Sequence, residues 1–210
     1  MGITAAIFDI GGVLTSSPVI AIRDYALREG VDYDVLGPMI AEPELAWSCW
    51  ERSEISVEQF ATRFEAEGRE RGISVSARGV MDAAFGGQAV RSEMIAVVRH
   101  LKGRVRLGCI TNNVARSEDR ERSFDLEELF ELVVESAKVG LRKPDPRIYL
   151  MACEGLGVSP EESVFLDDIG ANLKGARAVG MTTIRVDPTH GAIEELEGVL
   201  GFPLPRPSAL

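Results

Sequence analysis

Four short stretches carry side chains able to do chemistry on an anion. Asp9 follows the apolar run Thr4 to Phe8 and precedes Gly11 and Gly12. Thr111 and Asn112 follow the run Val105 to Ile110, and Asp167 and Asp168 follow Val164 to Leu166. Lys143 sits in the loop after Val133 and Val134. Asp9 and Asp168 can hold a hard divalent cation through oxygen, with retained water, as Mg²⁺ prefers. The Lys143 ammonium is a point charge suited to phosphate oxygens. The Thr111 hydroxyl and the Asn112 backbone N–H are neutral donors. A carboxylate can also be a covalent nucleophile, giving an aspartyl-phosphate. A cation and a lysine would offset negative charge on the transferring group, where most of the catalysis in phosphoryl transfer lies.

Each stretch has a plainer reading. Asp9 could form a turn before the two glycines. Asp167 and Asp168 could cap a helix N-terminus, where its dipole favours carboxylates. Lys143 could be a solvated loop charge, and Thr111 and Asn112 could cap the next helix. Their joint occurrence at successive strand ends favours the chemical reading, because ligands of open α/β sheets bind outside the carboxyl ends of the strands.

The elements that must position these residues are legible. Thr4 to Phe8 reads as a short strand buried on both faces, suited to the centre of a parallel sheet. Val105 to Ile110, Leu132 to Val134, Val164 to Leu166 and Thr182 to Val186 read alike. Helical patterns over Ser92 to Leu101, Pro146 to Leu156 and Ala171 to Val179 alternate with them. The fold class is α/β, with a doubly wound, mostly parallel sheet.

From about Pro18 to Gln88 no strand is expected, only helical segments with Gly and Pro breaks. Ser56 and Gln59 form a capping box opening a helix from Val57 to Arg71. This stretch reads as a helical insertion over the end of the first strand. The expected organisation is therefore core at 1–17, helical insertion at 18–88, core again at 89–201, and an extended Pro-rich tail at 202–210.

With these motifs in order, the chain resembles the haloacid dehalogenase superfamily, whose core is Rossmann-like. Phe8-Asp9-Ile10-Gly11-Gly12-Val13-Leu14 is similar to its first motif and Ile110-Thr111-Asn112 to its second. Arg142-Lys143-Pro144-Asp145-Pro146 is similar to the third, and Phe165-Leu166-Asp167-Asp168-Ile169-Gly170-Ala171-Asn172 to the fourth. Lys138 to Gly180 is especially similar to the amino-terminal phosphatase domain of soluble epoxide hydrolase and its bacterial relatives.

The resemblance implies a phosphatase-type hydrolase of a small phosphorylated metabolite. Asp9 is then the attacking carboxylate. Asp9, the Gly11 carbonyl and Asp168 hold Mg²⁺, with Asp167 supporting them from behind. Thr111 and Asn112 hold phosphoryl oxygens, and Lys143 pairs with nucleophile and phosphate. The insertion becomes the cap that closes the site and selects substrates.

One position departs from the pattern. Most phosphatases of the superfamily carry a second Asp two residues after the nucleophile, which protonates the leaving group and then activates water; here that residue is Gly11. General acid–base catalysis is typically worth about 10²–10⁴-fold. The expected enzyme is slow, or selective for a good leaving group, or takes its acid from the cap or the substrate. Two rivals share the fold. A metal-independent dehalogenase also lacks the second Asp, but its pattern lacks the paired aspartates kept at 167 and 168. A catalytically impaired phosphate-binding or interaction module is the other. A phosphonate hydrolase needs a cap lysine, and residues 18–93 contain none.

Bulk properties narrow the partners. In 210 residues, 45% are hydrophobic and the net charge is −10, which marks a folded chain and disfavours nucleic acid and anionic lipid. No apolar run approaches the roughly 20 residues needed to span a bilayer. Cys49, Cys109 and Cys153 lack metal or disulfide spacing, and the N-terminus lacks a signal-peptide pattern, so a cytoplasmic location is expected. Oligomeric state is not readable. Trp47 and Trp50 read as one buried face of the insertion, with the substrate entrance as the alternative. His100 and His190 read as surface residues, and Glu65 to Arg71 as a solvated helix face.

Overall fold

Strand β1 (Ala5–Phe8) is fully buried on both faces. Ala6 and Phe8 enter one apolar cluster, and Ala5 and Ile7 enter another. Alternate residues thus serve opposite sides of the sheet, as period-two geometry requires. In this computed structural model, residues 2–114, 124–187 and 189–206 are described.

Four further strands complete the sheet: β2 (Arg106–Thr111), β3 (Leu132–Glu135), β4 (Ser163–Asp167) and β5 (Thr182–Arg185). Their order is β3-β2-β1-β4-β5, and every pairing is parallel. The chain builds outward from β1 to β2 and β3, then returns to lay β4 and β5 on the other side. The reversal beside β1 opens a crevice at the carboxyl ends of β1, β2 and β4. Register pairs Phe8 with both Cys109 and Leu166, so the next residue, Asp9, emerges between two flanking strand ends.

Helices α1 (Pro18–Glu29), α2 (Tyr33–Ala41), α3 (Ala46–Glu51), α4 (Val57–Glu70) and α5 (Ala77–Phe85) follow β1 and share their own apolar cluster. The Ser56–Gln59 capping box forms as expected at the start of α4. Helix α6 (Ser92–Leu101) returns the chain to the sheet, covering one face together with α11 (Thr189–Leu200). Short α7 (Leu126–Leu129) and α8 (Ser136–Val139) flank β3. Helices α9 (Pro146–Leu156) and α10 (Gly170–Ala178) cover the other face.

Some expectations change. Glu67 leaves the expected solvated face: it is buried, and its carboxylate accepts from the Ala46 N–H at 3.1 and 3.2 Å and from Arg63 Nε at 2.9 Å. The open N-terminus of α3 needs an acceptor, and Glu67 supplies it. The tail is anchored rather than only laid on the surface. Leu204 is buried, and Arg206 pairs with Glu194 and Glu197 at 2.6 Å; residues 207–210 lie outside the described ones. His100 keeps its Nε2 buried without a hydrogen-bond partner among the described residues. The His190 side chain lies outside them. Helices α7, α8 and α11 were not expected from the sequence. All three cysteines are buried, and none forms a disulfide among the described residues.

Candidate active site

The three carboxylates meet. Asp9, Asp167 and Asp168 each bring an oxygen within 4.8 Å of the others. Lys143 threads between two of them, its Nζ lying 2.9 Å from Asp9 Oδ1 and 2.8 Å from Asp167 Oδ2. Its third donor goes to the Ile110 carbonyl at 3.0 Å. An ammonium has three donors, so protein atoms already occupy all of them. Lys143 is only 1% exposed, which makes it a buried cation held by its partners. Burial alone would lower its pKa, but the charges of Asp167 and Asp9 together outweigh burial and raise it.

Each carboxylate is positioned differently. The Asp9 backbone N–H donates to the Leu166 carbonyl at 2.9 Å, fixing the strand end. Oδ1 of Asp9 also accepts from the Ile10 N–H at 2.7 Å, so Oδ2 is the oxygen left for a ligand. Asp167 is fully buried. It accepts from Lys143, from Asn172 Nδ2 at 3.0 and 3.2 Å, and from the Ile169 N–H at 2.7 Å. Asp168 accepts from Ser17 Oγ at 2.6 Å. Gly12 has φ +78°, and a Cβ there would lie 2.2 Å from the Asp168 carboxylate; only glycine allows that approach.

Electrostatically the cluster is short of positive charge. Burial pushes the Asp9 carboxyl up to about 8, against the opposing pull of Lys143 and with added push from Asp167. Burial raises Asp168 as well, partly offset by the Ser17 bond. Three carboxylates facing one ammonium form a hard-oxygen donor set that a small divalent cation would balance.

Thr111 ends β2, is buried, and lines the same cavity as Asp9. Asn112 spends its side chain on the Lys143 loop. Its Oδ1 accepts from the Lys143 N–H at 2.8 Å, and its Nδ2 donates to the Lys143 carbonyl at 3.0 Å. The Lys143–Pro144 peptide is cis. The segment after Val114 lies outside the described residues, so helix capping by Thr111 and Asn112 is not described.

The cavity has a volume of about 360 Å³. Asp9, Thr111, Asn112, Lys143 and Asp168 line its polar end, while helices α1, α2, α3 and α5 contribute Val19, Ile22, Ile40, Trp47 and Phe85. Trp47 and Trp50 pack edge to face at 5.9 Å, so Trp47 is both core and cavity wall. Gly11 lines the cavity too.

The sequence reading missed Ser17 and gave Arg142 and Glu51 no role. Ser17 before Pro18 signals a helix cap. Yet Ser17 makes no side-chain cap bond at α1 and turns to Asp168 instead.

The haloacid dehalogenase-like hydrolase family matches residues 3–180. The chain belongs to that family, and it is a hydrolase. It is 31% identical over 225 residues to bifunctional epoxide hydrolase 2 of Mus musculus, covering 98% of this chain and 40% of that protein. The chain spans between 19% and 41% of the mammalian relatives it matches. It is 28% identical to phosphatase MT3486 of Mycobacterium tuberculosis, covering 89% of this chain and 88% of that one. Among solved structures, the enzyme BT-2542 of Bacteroides thetaiotaomicron, in complex with magnesium and inorganic phosphate, shares the fold. Its TM-score is 0.61 at 19% identity, over 88% of this chain and 94% of that one. Among the described residues no helix is long and apolar enough to cross a membrane.

Proposed function

We propose that this hydrolase is a magnesium-dependent phosphatase acting on a small phosphorylated metabolite through an aspartyl-phosphate on Asp9. The observation that carries the reading is Lys143, buried between Asp9 and Asp167 and beside Asp168, at the carboxyl ends of three strands. Relatives that are phosphatases, MT3486 among them, support it.

Asp9, Asp168 and the Gly11 carbonyl would hold the ion, and Asp167 would steady them from behind. Bound there, Mg²⁺ would supply Lewis-acid charge stabilisation to the phosphoryl oxygens. A carboxylate oxygen of Asp9 attacks phosphorus, the ester oxygen departs and takes its proton from solvent, and water then cleaves the acyl phosphate, releasing inorganic phosphate and regenerating Asp9. Lys143 fixes the nucleophile and supplies a positive field; a direct bond to phosphate would require it to give up a protein acceptor such as the Ile110 carbonyl. The Thr111 hydroxyl and the Asn112 N–H donate to phosphoryl oxygens. Residues 18–88 act as a cap over the site, between core segments 1–17 and 89–201. A cytoplasmic location fits three buried cysteines that form no disulfide among the described residues.

With Gly11 in place of an acid, a substrate with a good leaving group is favoured. Magnesium-dependent release of phosphate from acetyl phosphate or an aryl phosphate, abolished by Asp9→Asn, is the test. Among aryl phosphates the rate should depend steeply on leaving-group pKa; a shallow dependence would show an acid at work. No release from any ester would favour a binding module. Chloride release from a haloacid without Mg²⁺ would favour a dehalogenase.

A further inference from the structure

Helices α1, α2, α3 and α5 present apolar side chains to the cavity except at Glu51. There Arg142, from the Lys143 loop, meets Glu51 at the end of α3, and both line the cavity. Nε of Arg142 lies 2.8 Å from Glu51 Oε2. The two atoms are buried, and the contact is not aligned as a hydrogen bond. It is a close pairing of charges whose direction is set by other bonds.

Those bonds are specific. Glu51 Oε1 accepts from Trp47 Nε1 at 2.9 Å. Arg142 Nη1 donates to Ser48 Oγ and to the Ala41 carbonyl. Nη2 of Arg142 donates to no protein group among the described residues. One face of the guanidinium is therefore spent on α2 and α3, while one nitrogen keeps its donors. Glu51 is only 6% exposed. Burial raises its pKa, although Arg142 and Trp47 oppose the shift and Lys143 adds a weaker pull.

A buried ion pair is poor value for stability, since matched apolar residues do as well or better. The Arg142 Nη2 donors are not buried, so a ligand oxygen can take them in place of water. We propose that Arg142, charge-balanced by Glu51, recognises an oxygen acceptor on the organic part of the substrate. The substrate is then a hydroxylated or carbonyl-bearing monophosphate rather than a plain hydrocarbon one. The proposal rests on this cavity being the phosphatase site.

The pair also sets which acceptor is welcome. Arg142 alone would attract a carboxylate. With Glu51 beside it the pair is neutral, and a second carboxylate meets repulsion in a poorly screened site. A neutral hydroxyl or carbonyl oxygen meets none. Sites built to bond a substrate hydroxyl discriminate strongly against analogues lacking it, because their own groups are left unpaired.

The test uses non-hydrolysable ligands, so it does not depend on turnover. ω-Hydroxyalkyl phosphonates, alkyl phosphonates of equal chain length and ω-carboxyalkyl phosphonates are titrated into the full chain with Mg²⁺ by calorimetry. At the best chain length the hydroxylated ligand should bind at least tenfold tighter than its alkyl counterpart. In Arg142→Met that preference should fall below threefold. In Glu51→Gln, which keeps the shape of the side chain, the carboxyalkyl ligand should gain at least tenfold over wild type. That gain does not depend on Arg142→Met folding, and a merely structural role for Glu51 would not produce it. Equal binding of hydroxyl and alkyl ligands at every length, or a preference that survives in Arg142→Met, overturns the subsite alone. So does Glu51→Gln without a carboxylate gain. Failure of every phosphonate and of inorganic phosphate to bind overturns the phosphatase reading of the cavity itself.

Discussion

Pro18 stands where a side chain on residue 11 would go: a Cβ built on Gly11 lies 2.9 Å from Pro18 Cδ and 3.0 Å from Cγ. Pro18 opens α1, where its fixed φ and missing N–H suit the first helical position. Its ring is stiff and cannot swing aside. The absence of a carboxylate at position 11 is thus coupled to how the chain enters α1.

Restoring that carboxylate should therefore need two changes. Gly11→Asp alone should lower stability by about 1–3 kcal/mol through overpacking, with no gain in turnover of alkyl phosphates. Gly11→Asp with Pro18→Ala should recover stability and raise alkyl phosphate turnover. Urea melts and phosphate-release assays on both proteins check this. A single variant as stable and active as the double would refute the coupling.

Asp9 should make the metal-free protein sensitive to pH. Its carboxyl is raised from 3.8 to about 8, so between those values the folded state holds a proton that the unfolded chain has released. Stability contributed by that proton is present at low pH and is lost as pH rises through about 8. Asp9→Asn should flatten this slope and raise the metal-free melting temperature above pH 8 by at least about 2 °C. Magnesium should stabilise wild type more than the variant. Melting curves with chelator and with Mg²⁺ across pH measure both effects, and a lower melting temperature for Asp9→Asn in chelator would contradict the assignment.

Lys143 is the group whose loss should cost most. Lys143→Met strands two buried carboxylates, for which about 3–5 kcal/mol is expected. The deficit should be smaller below about pH 8, where Asp9 already holds a proton, and activity should disappear. Asn112→Ala removes both bonds to the Lys143 backbone and should cost about 1–3 kcal/mol, lowering kcat with little change in Mg²⁺ affinity. Denaturation at two pH values and steady-state kinetics distinguish the two variants.

Ser17 should tune the cation. Its hydroxyl lies 2.6 Å from Asp168 Oδ2, and partners of ligating carboxylates are typically worth about 10–100-fold in metal affinity. Ser17→Ala should weaken Mg²⁺ binding about tenfold at unchanged fold stability, read from the magnesium dependence of activity. An unaltered Mg²⁺ requirement would show that Ser17 serves only the turn.

Much of the fold was written locally. Thr4 to Phe8 announced a central strand because a sheet covered on both faces admits only apolar residues; the strand runs Ala5–Phe8, and the alternate clusters on either side of it agree. The Ser56–Gln59 box opened α4 where expected, since capping involves only residues three apart. Helix α11 and the short helices beside β3 escaped notice. Short helices are held by what they pack against rather than by their own periodicity.

Residue types and order in the four motifs determined the family, the parallel sheet and the chemistry to be sought. Only the tertiary structure decided that the three donors of Lys143 are already taken, that Pro18 closes the space beside Gly11, and that Ser17 reaches Asp168 across 151 positions of sequence. The same holds for Arg142 and Glu51, which meet only because α3 lies against the Lys143 loop. Strand patterns and caps arise between near neighbours in the chain. Burial, charge pairing and steric exclusion arise between segments that only folding brings together.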